Sequence, residues 1–224
     1  MSEMEVLAFF LAGMPVVFAA NGLVVNLTTF EEELVEGDGI RVLPWQQEPW
    51  PERVRWAVLL PLPVAMAIAA DRFELLQAIV VSLLVLALLV ITATDLLRFR
   101  VPNAVTYPGT AIALAAAVLM PEGRAGEALL AALLGGGFFS LLVLITRGGI
   151  GLGDAKLAVL IGAALGLPVA YQALIYGVIA AALVMGLMLV TGVVNRRQPV
   201  PYAPFLSLAA IVMVLVQGAA FAPL

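Results

Sequence analysis

An all-α, polytopic integral membrane protein with about eight transmembrane helices is the fold this sequence predicts, and three observations predict it. Of the 224 residues, 63% are hydrophobic and 12% charged, against the roughly 45–50% apolar share of soluble domains. Mean hydropathy is +1.11. The apolar residues also fall into runs separated by short charged or Pro/Gly breaks, and a spanning helix needs about 20 mostly apolar residues.

The first run, 6–28, follows Glu3 and Glu5 and lacks a basic flank, so it reads as a retained anchor and not as a cleaved signal peptide. After it, 31–53 carries Glu31, Glu32, Glu33, Glu36 and Asp38, then Pro44, Pro49 and Pro51, the composition of an irregular, solvated segment. The next four runs are 54–70, 75–94, 104–120 and 126–146. In the last of these, Gly135, Gly136 and Gly137 permit close helix packing; no GK[ST] follows, which excludes a phosphate loop. The sixth run, 155–167, is short and ends at Gly166-Leu167-Pro168. Runs 169–194 and 203–221 complete the set. The expected organisation is a membrane region over 1–75 and a second, chemically distinctive membrane region over 76–224.

Basic residues in short loops stay on the cytoplasmic side. Arg41, Arg53, Arg55, Arg98, Arg100, Arg147, Lys156, Arg196 and Arg197 all follow odd-numbered runs, while only Arg72 and Arg124 fall opposite. The pattern predicts a multi-pass protein of the inner (cytoplasmic) membrane with both termini outside. Fusing the sixth and seventh runs would strand Arg196 and Arg197 outside, which favours eight spans over seven.

The chain has no His and no Cys. Disulfides, thiolate nucleophiles and the commonest metal ligands are thereby removed, and neither a metal nor a cofactor is expected. The net charge of −4 comes largely from the 31–38 cluster, and no basic block points to nucleic acid. Of the four Ser residues none sits in a nucleophile context, and the single Lys is Lys156.

Two carboxylates lie where a membrane chain should not carry charge: Asp95, at the end of LLQAIVVSLLVLALLVITAT, and Asp154, inside GGIGLGDAKLAVLIGAALG. Ionisable residues at membrane depth are expensive and mark function. The topology puts both on the cytoplasmic face. Around Asp154, Gly148, Gly149, Gly151 and Gly153 allow unusual backbone angles and the close approach of another chain. Asp154 falls in the first turn of a helix, where an anion is favoured, and a simple helix cap is the competing reading. Asp95 sits at a helix C-terminus, where the dipole disfavours it, so something must compensate. Arg98 at i+3, or Arg100, could form a structural ion pair with it; the alternative is a partner carboxylate. Two carboxylates sharing a site cannot both ionise readily, so one keeps a proton while the other activates water. Lys156 reads either as a group orienting the acid or binding substrate, or as a basic anchor at the interface.

These residues resemble the type IV prepilin peptidases, membrane aspartyl proteases of the GxGD type related to the archaeal preflagellin peptidases. The segment DLLRFRVPNAVTYPG is similar to the family's first aspartate element, supplying Asp95, Pro102, Asn103, Thr106 and Pro108. GLGDAKLAVLIGAALG resembles the GxGDxKL segment, supplying Gly151, Gly153, Asp154, Lys156, Leu157, Gly162 and Gly166. A third block, PVPYAPFLSLAA, resembles PFGPFL and keeps Pro201, Pro204 and Phe205, with Tyr202 and Ala203 replacing Phe and Gly. The resemblance implies catalytic Asp95 and Asp154. It implies substrate-binding or site-supporting roles for Gly151, Gly153, Lys156, Arg98, Arg100, Pro102, Asn103, Pro201, Pro204 and Phe205. It further implies removal of a short basic leader from prepilin or pseudopilin-like membrane substrates. The acidic 31–36 cluster could attract such a leader, although a solvated charge run accounts for it as well.

Many bacterial relatives carry paired CxxC motifs and a GSFLNV-like segment near the N-terminus, associated with N-methylation. Here only Gly22 and Asn26 echo that spacing, which leans against methyltransferase activity. The rival classes are a proton- or cation-coupled transporter using the two acids and an inactive assembly subunit. A transporter of this kind predicts an internal repeat, which the two acid segments do not form.

Overall fold

The computed structural model describes residues 2–29, 50–146, 151–194 and 200–223. The acidic cluster at 31–38, Arg41, Pro44, Pro49, Arg147, Gly148, Gly149, Arg196 and Arg197 lie outside the described residues. The helices in chain order are α1 (Glu3–Thr29), α2 (Trp50–Leu59), α3 (Leu62–Arg72), α4 (Leu75–Arg98), α5 (Asn103–Leu119), α6 (Ala125–Thr146), α7 (Leu152–Leu165), α8 (Val169–Val190) and α9 (Ala203–Gln217). Two-residue strands β1 (Gly218–Ala219) and β2 (Ala222–Pro223) pair antiparallel at the end.

Each of the eight apolar runs is helical, and the second is broken into α2 and α3 at Leu60–Pro61. Pro cannot donate the backbone bond that a continuous helix needs there and is tolerated at the start of the next one. Five stretches are long and apolar enough to cross a bilayer: Glu3–Thr28, Pro51–Arg72, Leu75–Arg98, Ala125–Thr146 and Val169–Val190. Asn103–Leu119 and Ala203–Gln217 are shorter apolar helices. The protein is thus an all-α, multi-pass membrane protein.

The short helix α7 is buried on nearly every side, from Asp154, Ala155 and Leu157 through Leu165. A helix that is apolar all round belongs inside a bundle, and protein rather than lipid surrounds this one. By contrast, α8 presents Leu183, Leu187 and Val190 outward, as a lipid-facing helix should.

Small residues let the helices meet closely, because lipid supplies no hydrophobic drive between them. A Cβ added at Gly162 of α7 would stand 2.5 Å from the backbone of Ala131 and Ala132 in α6. Gly136 of α6 similarly receives the Val159 side chain, and Gly135 faces the Ala158 carbonyl. Gly137 meets nothing within 4 Å, so only the first two of the three consecutive glycines serve packing. On the other flank Gly177 of α8 admits Leu206 of α9, whose Cα would lie 2.9 Å from an added Cβ.

The C-terminal turn ties down the end of the bundle opposite the acids. Ala220 N–H donates to the Ala164 carbonyl at 2.8 Å, and Arg124 N–H donates to the Ala220 carbonyl at 2.7 Å. These bonds satisfy backbone groups that burial would otherwise leave costly.

Candidate active site

Four helix ends converge at one end of the molecule: the C-terminus of α4 and the N-termini of α5, α7 and α9. Asp95 belongs to the last turn of α4 and is 6% exposed; Asp154 is the third residue of α7 and is 7% exposed. The two carboxyls are near enough for the charge of Asp154 to act on Asp95.

At Asp95, the C-terminal end of a helix is unfavourable to a negative group, and the compensation comes from the start of α9. The Ala203 backbone N–H donates to Asp95 Oδ2 at 3.0 Å. Ala203 is the first residue of α9, Tyr202 its N-cap, and Pro204 stands in its first turn. The first N–H groups of a helix have no partner within it, so the carboxyl of α4 and the helix start of α9 satisfy each other. Pro201, buried just ahead, and Pro204 bracket this helix start. Phe205 follows, its N–H donating to the Tyr202 carbonyl at 3.2 Å.

Asp154 is not the N-cap of α7; Gly151 is. The Asp154 backbone N–H donates to the Gly151 carbonyl at 3.1 Å, an ordinary first-turn bond.

Between the two acids the chain doubles back. Phe99 caps α4 in the left-handed region at φ 55° and donates its N–H to the Asp95 carbonyl at 2.8 Å, a conformation that costs a non-Gly residue energy and so needs support. Pro102 then caps α5 in an extended conformation, and the buried Thr106 returns its hydroxyl to the Pro102 carbonyl at 2.9 Å. This linker lies on the start of α7. A Cβ on Gly153 would come within 3.0 Å of the Val101 side chain, so the second glycine of the GxGD segment is the seat for Val101. Gly153→Ala should force Val101 and the linker aside at an overpacking cost of about 1–3 kcal/mol; thermal melting of the purified protein checks this.

The other expected residues are also at this end. Lys156 Nζ donates to Asn103 Oδ1 at 2.8 Å and lies 5.5 Å from the Tyr107 ring centre. Arg98 and Arg100 are exposed at the end of α4 and in the linker. The described residues contain no group of three or more His, Cys, Asp or Glu side chains that could hold a metal ion. What the arrangement offers is two buried carboxyls, one from α4 and one from α7, at the same end of the bundle. The backbone donor of α9, Val101 and Tyr107 were not singled out from sequence. The Pro-bracketed helix start at 201–204 is the signal that could have found the donor.

Residues 82–190 match the type IV leader peptidase family, a segment holding both aspartates, Pro102, Asn103 and Lys156. The chain is 31% identical over 150 residues, 66% of its length, to a prepilin leader peptidase/N-methyltransferase of Bacillus subtilis (strain 168). It spans 60% of that relative's length. No solved structure matches the chain.

Proposed function

The chain belongs to the type IV leader peptidase family, and from that premise we propose that it is a membrane aspartyl endopeptidase. It removes the short basic leader of pilin-like precursors at the cytoplasmic face of the inner membrane, with Asp95 and Asp154 as the catalytic pair. The observation that carries this reading is the convergence of two buried carboxyls, from α4 and α7, at one end of the bundle. The excess of Arg and Lys on the same side of the sequence supports the cytoplasmic orientation, with both termini outside.

In the mechanism, one aspartate is ionised and the other protonated. The ionised carboxylate takes a proton from water as the water oxygen bonds to the scissile carbonyl carbon, and the protonated carboxyl gives its proton to the carbonyl oxygen. The tetrahedral diol then collapses: the C–N bond breaks, a proton passes to the departing nitrogen, and a carboxylic acid is left on the leader. Protons are only exchanged within the dyad, so no other reactant than water is consumed. The roles belong to the pair rather than to either residue. Holding one Asp95 oxygen on the Ala203 N–H at the start of α9 ties the end of α4 to that helix start. Residues 76–224 are the catalytic region, and 1–75 the accompanying membrane region.

Such a dyad needs one proton. Cleavage should follow a bell-shaped pH profile, falling at low pH where both acids are protonated and no base remains, and at high pH where no acid remains. A profile that stays flat across both limbs would contradict it. The substrate class is tested by co-expressing the chain with a tagged precursor that carries a short basic leader ahead of a hydrophobic helix. A gel shift to the leaderless form supports the proposal. No processing across a panel of such precursors would favour the transporter or assembly-subunit reading.

A further inference from the structure

We propose that Lys156 is a positioning residue that acts through Asn103: the two form a clasp locking the α4–α5 linker onto the start of α7, and so hold Asp95 and Asp154 in register. The inference deepens, and for its kinetic test rests on, the peptidase reading above.

Lys156 follows Asp154 by two residues on one helix, and side chains two apart on a helix do not face each other. Lys156 therefore does not sit over the Asp154 carboxyl. It reaches instead to a residue 53 positions earlier, where Asn103 Oδ1 accepts its proton at 2.8 Å. Asn103 is the first residue of α5, so its backbone is fixed by the helix start. The cation also lies 5.5 Å from the Tyr107 ring, one turn further along α5, within the range of a cation–π attraction.

The neighbouring contact gives the clasp its purpose. Val101 is seated on Gly153, so the linker touches α7 at Gly153 and α5 touches it at Lys156, on either side of Asp154 in sequence. Only residues 99–102 separate α4, which carries Asp95, from α5. Pinning the linker and the α5 start to α7 thus fixes the end of α4 relative to Asp154. Charged hydrogen bonds are about twice as strong as neutral ones, and Asn serves as acceptor without adding a third carboxylate beside the pair.

The test uses the whole chain, whose lack of Cys allows clean labelling. Spin labels are attached at the exposed positions Ala104 of α5 and Leu152 of α7, each replaced by Cys, and their distance distribution is measured in detergent or lipid. Lys156→Met and Asn103→Leu should each broaden the distribution, while Lys156→Arg, which keeps a donor, stays near the parent. Kinetically, each disrupted variant should lose about 10- to 100-fold in kcat with KM nearly unchanged, and the double variant should be no worse than either single one.

An unchanged distribution in both disrupted variants would overturn the clasp and leave Lys156 an interfacial anchor. A rise in KM with kcat intact would overturn it in favour of direct substrate contact. If the parent cleaves no precursor, the peptidase reading fails, and the distance distributions still decide the clasp.

Discussion

Asp95→Asn and Asp154→Asn should each reduce leader removal by at least about 10³-fold, with the protein reaching the membrane at parental levels. General acid–base participation is worth roughly 10²–10⁴-fold, and in a dyad either loss removes the shared proton transfer altogether. Folding should be spared for a geometric reason. An Asn at 95 still offers a carbonyl oxygen to the Ala203 N–H that now bonds Oδ2 at 3.0 Å, and an Asn at 154 keeps the size of the buried side chain it replaces. The double variant should be no slower than the singles, as expected for residues acting as a unit. Asp95→Ala should behave differently, since it strips the buried Ala203 N–H at the start of α9 of its acceptor. Leaving such a donor unsatisfied costs about 1–3 kcal/mol, so this variant should lose thermal stability as well as activity. Initial-rate assays in membranes, with thermal melting of the purified protein, separate the two effects.

Gly162→Val should abolish correct folding, and Gly162→Ala should cost about 3 kcal/mol or more, at the upper end of what overpacking does. The added Cβ would stand 2.5 Å from the Ala131 carbonyl carbon and oxygen and from the Ala132 nitrogen. Those are backbone atoms inside α6, which cannot rotate away as a flexible side chain could. Relief requires α6 and α7 to separate, and α7 carries Asp154 on the same short, enclosed helix. The matched control is Gly137→Ala on α6, where a Cβ meets nothing within 4 Å and the better helix propensity of Ala is gained without crowding. Thermal melting in detergent should place Gly162→Ala well below the parent and Gly137→Ala at or above it.

The helices are legible because the chain is cut into apolar runs, five of the described stretches being long enough to cross a bilayer, and the short sixth run is readable from its Gly-Leu-Pro end. The break between α2 and α3 was less so: Pro61 and Pro63 sit in an otherwise uniform apolar run, where Pro is often tolerated in membrane helices. Asp95 and Asp154 stood out because charge in apolar sequence is costly. What compensates Asp95 did not, because the donor is the backbone N–H of Ala203, and a backbone group has no residue-type signature. Lys156 and Asn103 each stand out alone in the sequence; their union depends on α5 packing against α7, which no local pattern announces. Gly153 illustrates the converse: its position in the GxGD segment was readable, but that it seats Val101 became clear only once the linker was folded over α7.

Hydrolysis of a precursor by the Asp95–Asp154 pair is the central claim. The most direct measurement is incubation of the purified chain, reconstituted in lipid, with a purified tagged precursor, followed by mass spectrometry of both products. A working dyad yields a free leader and a shortened precursor from the parent, summing to the substrate plus one water, and neither product from Asp95→Asn or Asp154→Asn at equal protein. Intact precursor with the parent, or product formation surviving either substitution, would contradict it.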